Sequence, residues 1–133
     1  MQVDARLLRG GKRNSGYGLI CRSDAQGESY YTFAIWPTNV TIAKVTPSPP
    51  YYKELAAEIP TIQRKGRNRL DAVCATDKDG VVRLTFSING LVVARASDRK
   101  STLTSGAVGL AVATDKGEKA ITTEFDDFVV KKA

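Results

Sequence analysis

The second half of the chain is a series of apolar, β-branched runs cut at short intervals by turn residues. Residues 68–76 end at Asp77-Lys78-Asp79-Gly80, 81–88 at Asn89-Gly90, and 91–96 at Ser97-Asp98. Residues 106–113 end at Thr114-Asp115-Lys116-Gly117, and 120–131 complete the series. Asn-Gly between two apolar runs marks a two-residue hairpin, because a type I′ turn needs positive φ at both central positions. Within the runs the side chains alternate. Leu70, Ala72 and Cys74 share one parity, as do Leu84, Phe86 and Ile88, which is what a strand with one buried face requires. Val108, Leu110, Val112, Phe125 and Phe128 complete the expected core, whereas Asp71, Thr85 and Ser87 are expected to face the other way.

The first half follows the same pattern less regularly. Residues 3–8, 17–22, 30–36 and 40–46 read as strands, separated by polar, glycine-containing or proline-containing turns. Pro47-Ser48-Pro49-Pro50 breaks any ladder, since proline carries no N–H. Residues 51–62 allow two readings. Tyr52-Lys53-Glu54-Leu55-Ala56-Ala57-Glu58 has the propensity for a short helix, and it fits equally an edge strand across the mouth of the fold. Long helices are absent, which removes α/β folds and predicts an all-β protein, an antiparallel β-sandwich or barrel.

At 133 residues the chain is one domain, 1–133, large enough to bury a core without staples. Apolar content of 42% and charged content of 26% are ordinary for a globular protein. No run approaches the ~18 apolar residues of a membrane span, and Met1-Gln2-Val3-Asp4-Ala5-Arg6 has no apolar leader region. A start inside an apparent strand and a finish on Val129-Val130-Lys131-Lys132 lead us to expect a domain excised from a larger protein. The net charge is +6 without histidine. Arg6, Arg9, Lys12 and Arg13 form one basic cluster; Arg64, Lys65, Arg67 and Arg69 form another. They read either as solvated turns or as loops with weak affinity for polyanions. Neither cluster has the interleaved aromatics of a base-stacking groove.

Cys21 and Cys74 lie on inward parities of separate strands. They are either one disulfide or two buried thiols, and an extracellular parent favours the bridge. They form no CxxC pair, and no histidine completes a zinc site. The absence of histidine also leaves serine and cysteine nucleophiles without a base. Asp77-Lys78-Asp79-Gly80 resembles half a calcium loop but lacks the later acidic ligand, so a turn capped by aspartate is expected. Asp115-Lys116-Gly117-Glu118 reads the same way, with somewhat more room for calcium. No metal site, cofactor or catalytic residue is assigned.

The ordered set Gly18-Leu19-Ile20-Cys21-Arg22, Tyr30-Tyr31-Thr32-Phe33, Asn68-Arg69-Leu70, Ile88-Asn89-Gly90, Gly106-Ala107-Val108-Gly109-Leu110 and Phe125-Asp126-Asp127-Phe128-Val129-Val130 resembles the concanavalin A-like jelly roll. It is most similar to small laminin-G-like modules of bacterial extracellular proteins. These include modules linked to serine/threonine kinases and to the three-keto-disaccharide-hydrolase-like group. The resemblance covers nearly the whole chain and implies a jelly-roll sandwich; it implies no single activity, since this fold hosts enzymes, lectins and adhesion modules. Glu124 and Asp126 share a strand face, as a glycosidase pair would. The family's glucanases carry Glu-x-Asp-x-Glu, however, and here the third position is Phe128.

Binding is the better-supported expectation. If Tyr31, Phe33 and Ile35 are core, then Tyr30 and Trp36 face outward. Arg22, opposite in parity to Cys21, is expected on the same face, with Tyr51 and Tyr52 at its rim. Aromatic rings stack on sugars and polar side chains bond hydroxyls. The competing reading has residues 51–62 packed over Tyr30 and Trp36. The expected function is therefore a non-enzymatic extracellular or cell-surface module for carbohydrate or cell-wall material. The alternatives are a degenerate glycoside-hydrolase-like domain and a structural protein-interaction domain.

Overall fold

The computed structural model describes residues 1–9, 15–62, 66–114 and 121–131, with the main chain alone for Arg9. Every regular element among them is a strand. In chain order they are β1 (Gln2–Arg9), β2 (Gly16–Ser23), β3 (Tyr30–Ile35), β4 (Val40–Val45), β5 (Tyr52–Glu58), β6 (Arg67–Thr76), β7 (Val82–Ile88), β8 (Leu91–Asp98), β9 (Ala107–Ala113) and β10 (Thr122–Val129). One sheet runs β10-β1-β6-β7-β8 and the other β5-β4-β3-β2-β9, and all pairings are antiparallel. The sheets stack face to face as a sandwich, β5 and β4 against β8, and β2 against β6.

The alternation in sequence fixes which face each strand buries. Leu70, Ala72, Leu84, Phe86 and Ile88 of one sheet meet Leu19, Tyr31, Phe33 and Ile42 of the other, all removed from water. Phe33 and Phe86 join the layers edge to face, with ring centroids 5.8 Å apart. Asp71, Thr85 and Ser87 point away from this core and are half-buried. Asn89 and Gly90 adopt φ of 53° and 85°, the left-handed values that the Asn-Gly hairpin requires. Cys21 and Cys74 form a disulfide between β2 and β6, so one covalent bond ties the two sheets together.

One of the two readings of residues 51–62 holds, and one expectation about the core changes. The edge strand is the reading found, and it does not pack over Tyr30 and Trp36. These residues supply β5, which pairs with β4 from Tyr52 opposite Val45 to Glu58 opposite Val40 and widens the sheet. Val108, Leu110, Val112 and Phe128 are not buried. Leu110 lies opposite Leu19 and Val112 opposite Tyr17, so the inward parity of β9 is correct. But β9 and β10 are the outermost strands on the same side of the sandwich. The space between them stays open, leaving Val108 39%, Leu110 38%, Val112 48% and Phe128 40% exposed. Phe125, opposite Ala5, does pack partly against the core. Lys12, Arg13, Arg64, Lys65 and the turn Asp115-Lys116-Gly117-Glu118 lie outside the described residues.

Candidate functional site

The outer face of the β5-β4-β3-β2-β9 sheet is built from the residues between the core positions. Three side chains, Tyr30 of β3, Val45 of β4 and Tyr52 of β5, stand in one cross-strand row. Directly opposed residues project to the same side, so the two tyrosines flank Val45 two strand spacings apart, about 10 Å. Tyr30 is half-buried; Tyr52 is 48% and Tyr51 63% exposed. The sequence-predicted aromatics at this end are therefore brought together: β5 carries Tyr52 to the sheet edge, and Tyr51 immediately precedes the strand.

Below that row the face is floored by small residues. Gly18 pairs with Ala34, and Ala34 with Thr41; Thr32 pairs with Ala43. All five are buried, although no described strand stacks over them. Gly18 is obligatory: a Cβ there would collide with the Phe33 carbonyl. Trp36 lies at the far end. Its ring covers Gly16, where a Cβ would sit 2.7 Å from Cε3, and its Nε1 donates to Thr41 Oγ1 at 2.9 Å. The indole is thus half-buried and lies against the sheet.

Arg22 does not belong to this face. The β2–β9 register shifts between Ile20 and Ser23, and Arg22 takes φ 56°. The bulge turns its side chain toward the other sheet, where the guanidinium donates to Thr76 Oγ1 (2.8 Å), Leu103 O (3.0 Å) and Cys74 O (3.2 Å). Arg22 is one of three tethers on the segment from Asp98 to Gly106, which runs along the end of the sandwich. Lys44 Nζ donates to Lys100 O at 2.9 Å and Ser101 O at 2.8 Å, and the Leu103 amide donates to Tyr31 Oη at 3.1 Å. Gly106 completes the crossing, since a Cβ there would strike the Ser23 carbonyl.

The anchor of this segment is a buried polar group that the sequence reading missed. Lys44 Nζ and Tyr31 Oη both lie 2.7 Å from Asp98 Oδ2. Burial would raise the Asp98 pKa, but the hydrogen bonds from Lys44 and Tyr31 outweigh it and hold the carboxyl below its ordinary value. Burial pushes the Tyr31 hydroxyl up, aided by the Asp98 charge and opposed by the Leu103 amide. The signal was present in the chain: Lys44 has the inward parity of Val40 and Ile42, and a lysine at such a position needs a partner.

Glu124 and Asp126 of β10 are engaged in ion pairs. Glu124 Oε1 lies 3.5 Å from Arg6 Nη2 and 3.3 Å from Arg67 Nη2, and Asp126 lies 4.0 Å from Arg67 Nη1. Asp127, at φ 54°, forms the strand bend, and its amide donates to Asp126 Oδ1 at 2.9 Å. The Asp77 turn is capped by its own side chain. Asp77 Oδ1 accepts from the amides of Asp79 (2.9 Å) and Val81 (3.0 Å), and Oδ2 pairs with Arg83. The Val81 amide leads in lowering the pKa of this carboxyl. Among the described residues no three His, Cys, Asp or Glu side chains are grouped to hold a metal.

Among solved structures, the carbohydrate-binding module CBM66 from Bacillus subtilis is similar to this chain, with a TM-score of 0.72 and 20% identity over 95% of this chain and 70% of that one. No protein-family model matches the chain. No curated protein matches it in sequence. At this level of identity, the likeness to the CBM66 structure establishes a shared β-sandwich fold.

Proposed function

We propose that this chain is a non-enzymatic carbohydrate-binding module of the concanavalin A-like, laminin-G-like jelly-roll kind. In this reading it is one domain of a larger extracellular or cell-surface protein and engages glycan or cell-wall material. The observation that carries the proposal is the row Tyr30–Val45–Tyr52, with Tyr51 beside it, on a sheet face floored by small residues. Two rings on the outer face of a sheet suit the apolar faces of sugar rings. The sandwich shared with a carbohydrate-binding module supports the same reading. Trp36, lying against the sheet at the far end, contributes its outer ring face; Arg22 has no part. The ion pairs of Glu124 and Asp126 argue against a glycosidase pair, whose carboxylates must act on substrate.

The test is a glycan array followed by calorimetric titration of the best soluble oligosaccharide. Tyr52→Ala is expected to weaken binding by about tenfold or more, on the order of 1.4 kcal/mol, without changing the unfolding midpoint. Unaltered affinity in both Tyr52→Ala and Tyr30→Ala removes this face as the site. A protein-interaction reading is favoured by one observation, the apolar side chains open to water between β9 and β10. Light scattering on a size-exclusion column addresses it, a stable dimer being the supporting result.

A further inference from the structure

The opposite face of the sandwich carries a second feature of a different chemistry. On the outer side of the β10-β1-β6-β7-β8 sheet lies a shallow depression of about 700 Å³. Its lining includes Gln2, Asp4, Arg69, Asp71, Ser87 and Asn89. Register explains the grouping. Asp4 lies opposite Arg69, and Gln2, Asp71 and Ser87 form the next cross-strand row.

The polar groups are held in place before any ligand arrives. Arg69 Nε and Nη2 meet Asp4 Oδ1 and Oδ2 at 2.9 and 3.3 Å, a fork-to-fork pair. The Arg69 main chain is locked as well. Its amide donates to Asn89 Oδ1 at 2.8 Å, and its carbonyl accepts the Asn89 amide at 2.8 Å. Yet the Arg69 side chain is 56% exposed, and only two of its five N–H donors are used by Asp4. The Asp71 carboxylate is 46% exposed, its nearest cation the chain amino group at 4.0 Å. Among the described residues no hydrogen bond engages the side-chain amide of Gln2 or the Ser87 hydroxyl. Fixed donors and free acceptors thus stand side by side.

The charge balance selects the ligand class. Arg67 and Arg69 line the depression together with Asp4 and Asp71, two cations against two anions. An anion gains no net attraction there, whereas vicinal hydroxyls, each both donor and acceptor, match the alternation. We propose that this depression is a second binding site, for a neutral polyhydroxylated ring such as a hexose unit. The two outer faces are separated by the thickness of the sandwich, ~10 Å between sheets plus the side chains. A single sugar ring cannot touch both, so the module would hold two glycan chains, or two points on one long chain.

This site is independent of the aromatic row, and one experiment separates them. Backbone amide shifts of labelled protein are followed during titration with cellotetraose, laminaritetraose, chitotetraose and xylotetraose, each to about 20 mM. With at least one sugar, saturable shifts are expected at Arg69, Asp71 and Ser87. They should persist in Tyr52→Ala and at 0.5 M NaCl, and weaken at least fivefold in Asp71→Ala. Folding of the latter is checked by its unperturbed spectrum elsewhere; Ser87→Ala serves if it is not folded. No shift at these amides with any of the four sugars overturns the proposal, as do shifts that survive both Asp71→Ala and Ser87→Ala. Shifts here that vanish in Tyr52→Ala reduce the two sites to one and also overturn it. Shifts here with none at Tyr30, Val45 or Tyr52 uphold it while refuting the aromatic face.

Discussion

At the scale of single residues, the group with the largest stake in stability is Asp98. Its carboxylate is nearly enclosed and accepts hydrogen bonds from Lys44 Nζ and Tyr31 Oη, each 2.7 Å away. Removing one partner of a buried pair leaves the other charge uncompensated, which costs ~3–5 kcal/mol. Lys44→Met and Asp98→Asn should both unfold at markedly lower urea concentration at pH 7. The pH dependence has a definite sign. The folded pKa of Asp98 lies below its unfolded value, so the carboxylate's contribution is complete above pH ~4 and is lost as pH falls through the folded pKa. The gap between the wild-type and Asp98→Asn unfolding midpoints should therefore narrow below pH ~4. A gap that stays constant from pH 7 to 2.5 would mean that Asp98 acts through shape rather than charge. Lys44 also holds Lys100 and Ser101, so its loss should raise hydrogen exchange along the segment that leads to β9.

At the scale of elements, the disulfide is the plainest lever. It joins β2 to β6 across 53 residues of chain. Replacing Cys21 and Cys74 together by serine should cost ~2–5 kcal/mol, mainly by releasing the unfolded chain. A loss below ~1 kcal/mol in urea unfolding would assign the hold between the sheets to packing alone. Strands and hairpins were legible in the sequence because period-two alternation and turn chemistry are local. Asn89-Gly90 and the run Leu84, Phe86, Ile88 needed nothing beyond their neighbours. The one ambiguous stretch and the misplaced Arg22 share a cause. Leu55 is the extra residue of a bulge opposite Ile42 and Ala43, so Leu55 and Ala56 are both half-buried and the stretch loses its strand period. Arg22 sits in the bulge between β2 and β9 and changes face there. Bulges break parity, and parity was the only guide available. The paired charges of β1 and β6 were visible as alternate polar positions, Gln2, Asp4 and Arg6 with Arg67, Arg69 and Asp71. Nothing local said that the two strands are neighbours.

At the scale of the whole molecule, exposure at the rims was beyond a strand-by-strand reading. Val112 has core parity and is still 48% exposed, because burial depends on which strand ends up outermost. The two rims are not equally guarded. β10 carries Glu124, Asp126 and Asp127, and Asp127 bends it at φ 54°, devices that discourage another strand from adding on. β9 reads Ala-Val-Gly-Leu-Ala-Val-Ala, with no charge and no proline, and its outer edge has no partner strand among the described residues. Such a segment is a template for fibrillar self-association when protein is concentrated or heated. Val112→Lys places a gatekeeper charge on that rim. It should lengthen the lag before turbidity or amyloid-dye fluorescence develops at elevated temperature, with little change in the unfolding midpoint; an unchanged lag would locate the hazard elsewhere. The strand that leaves the sandwich unclosed is thus also the place where self-association of this protein is expected to begin.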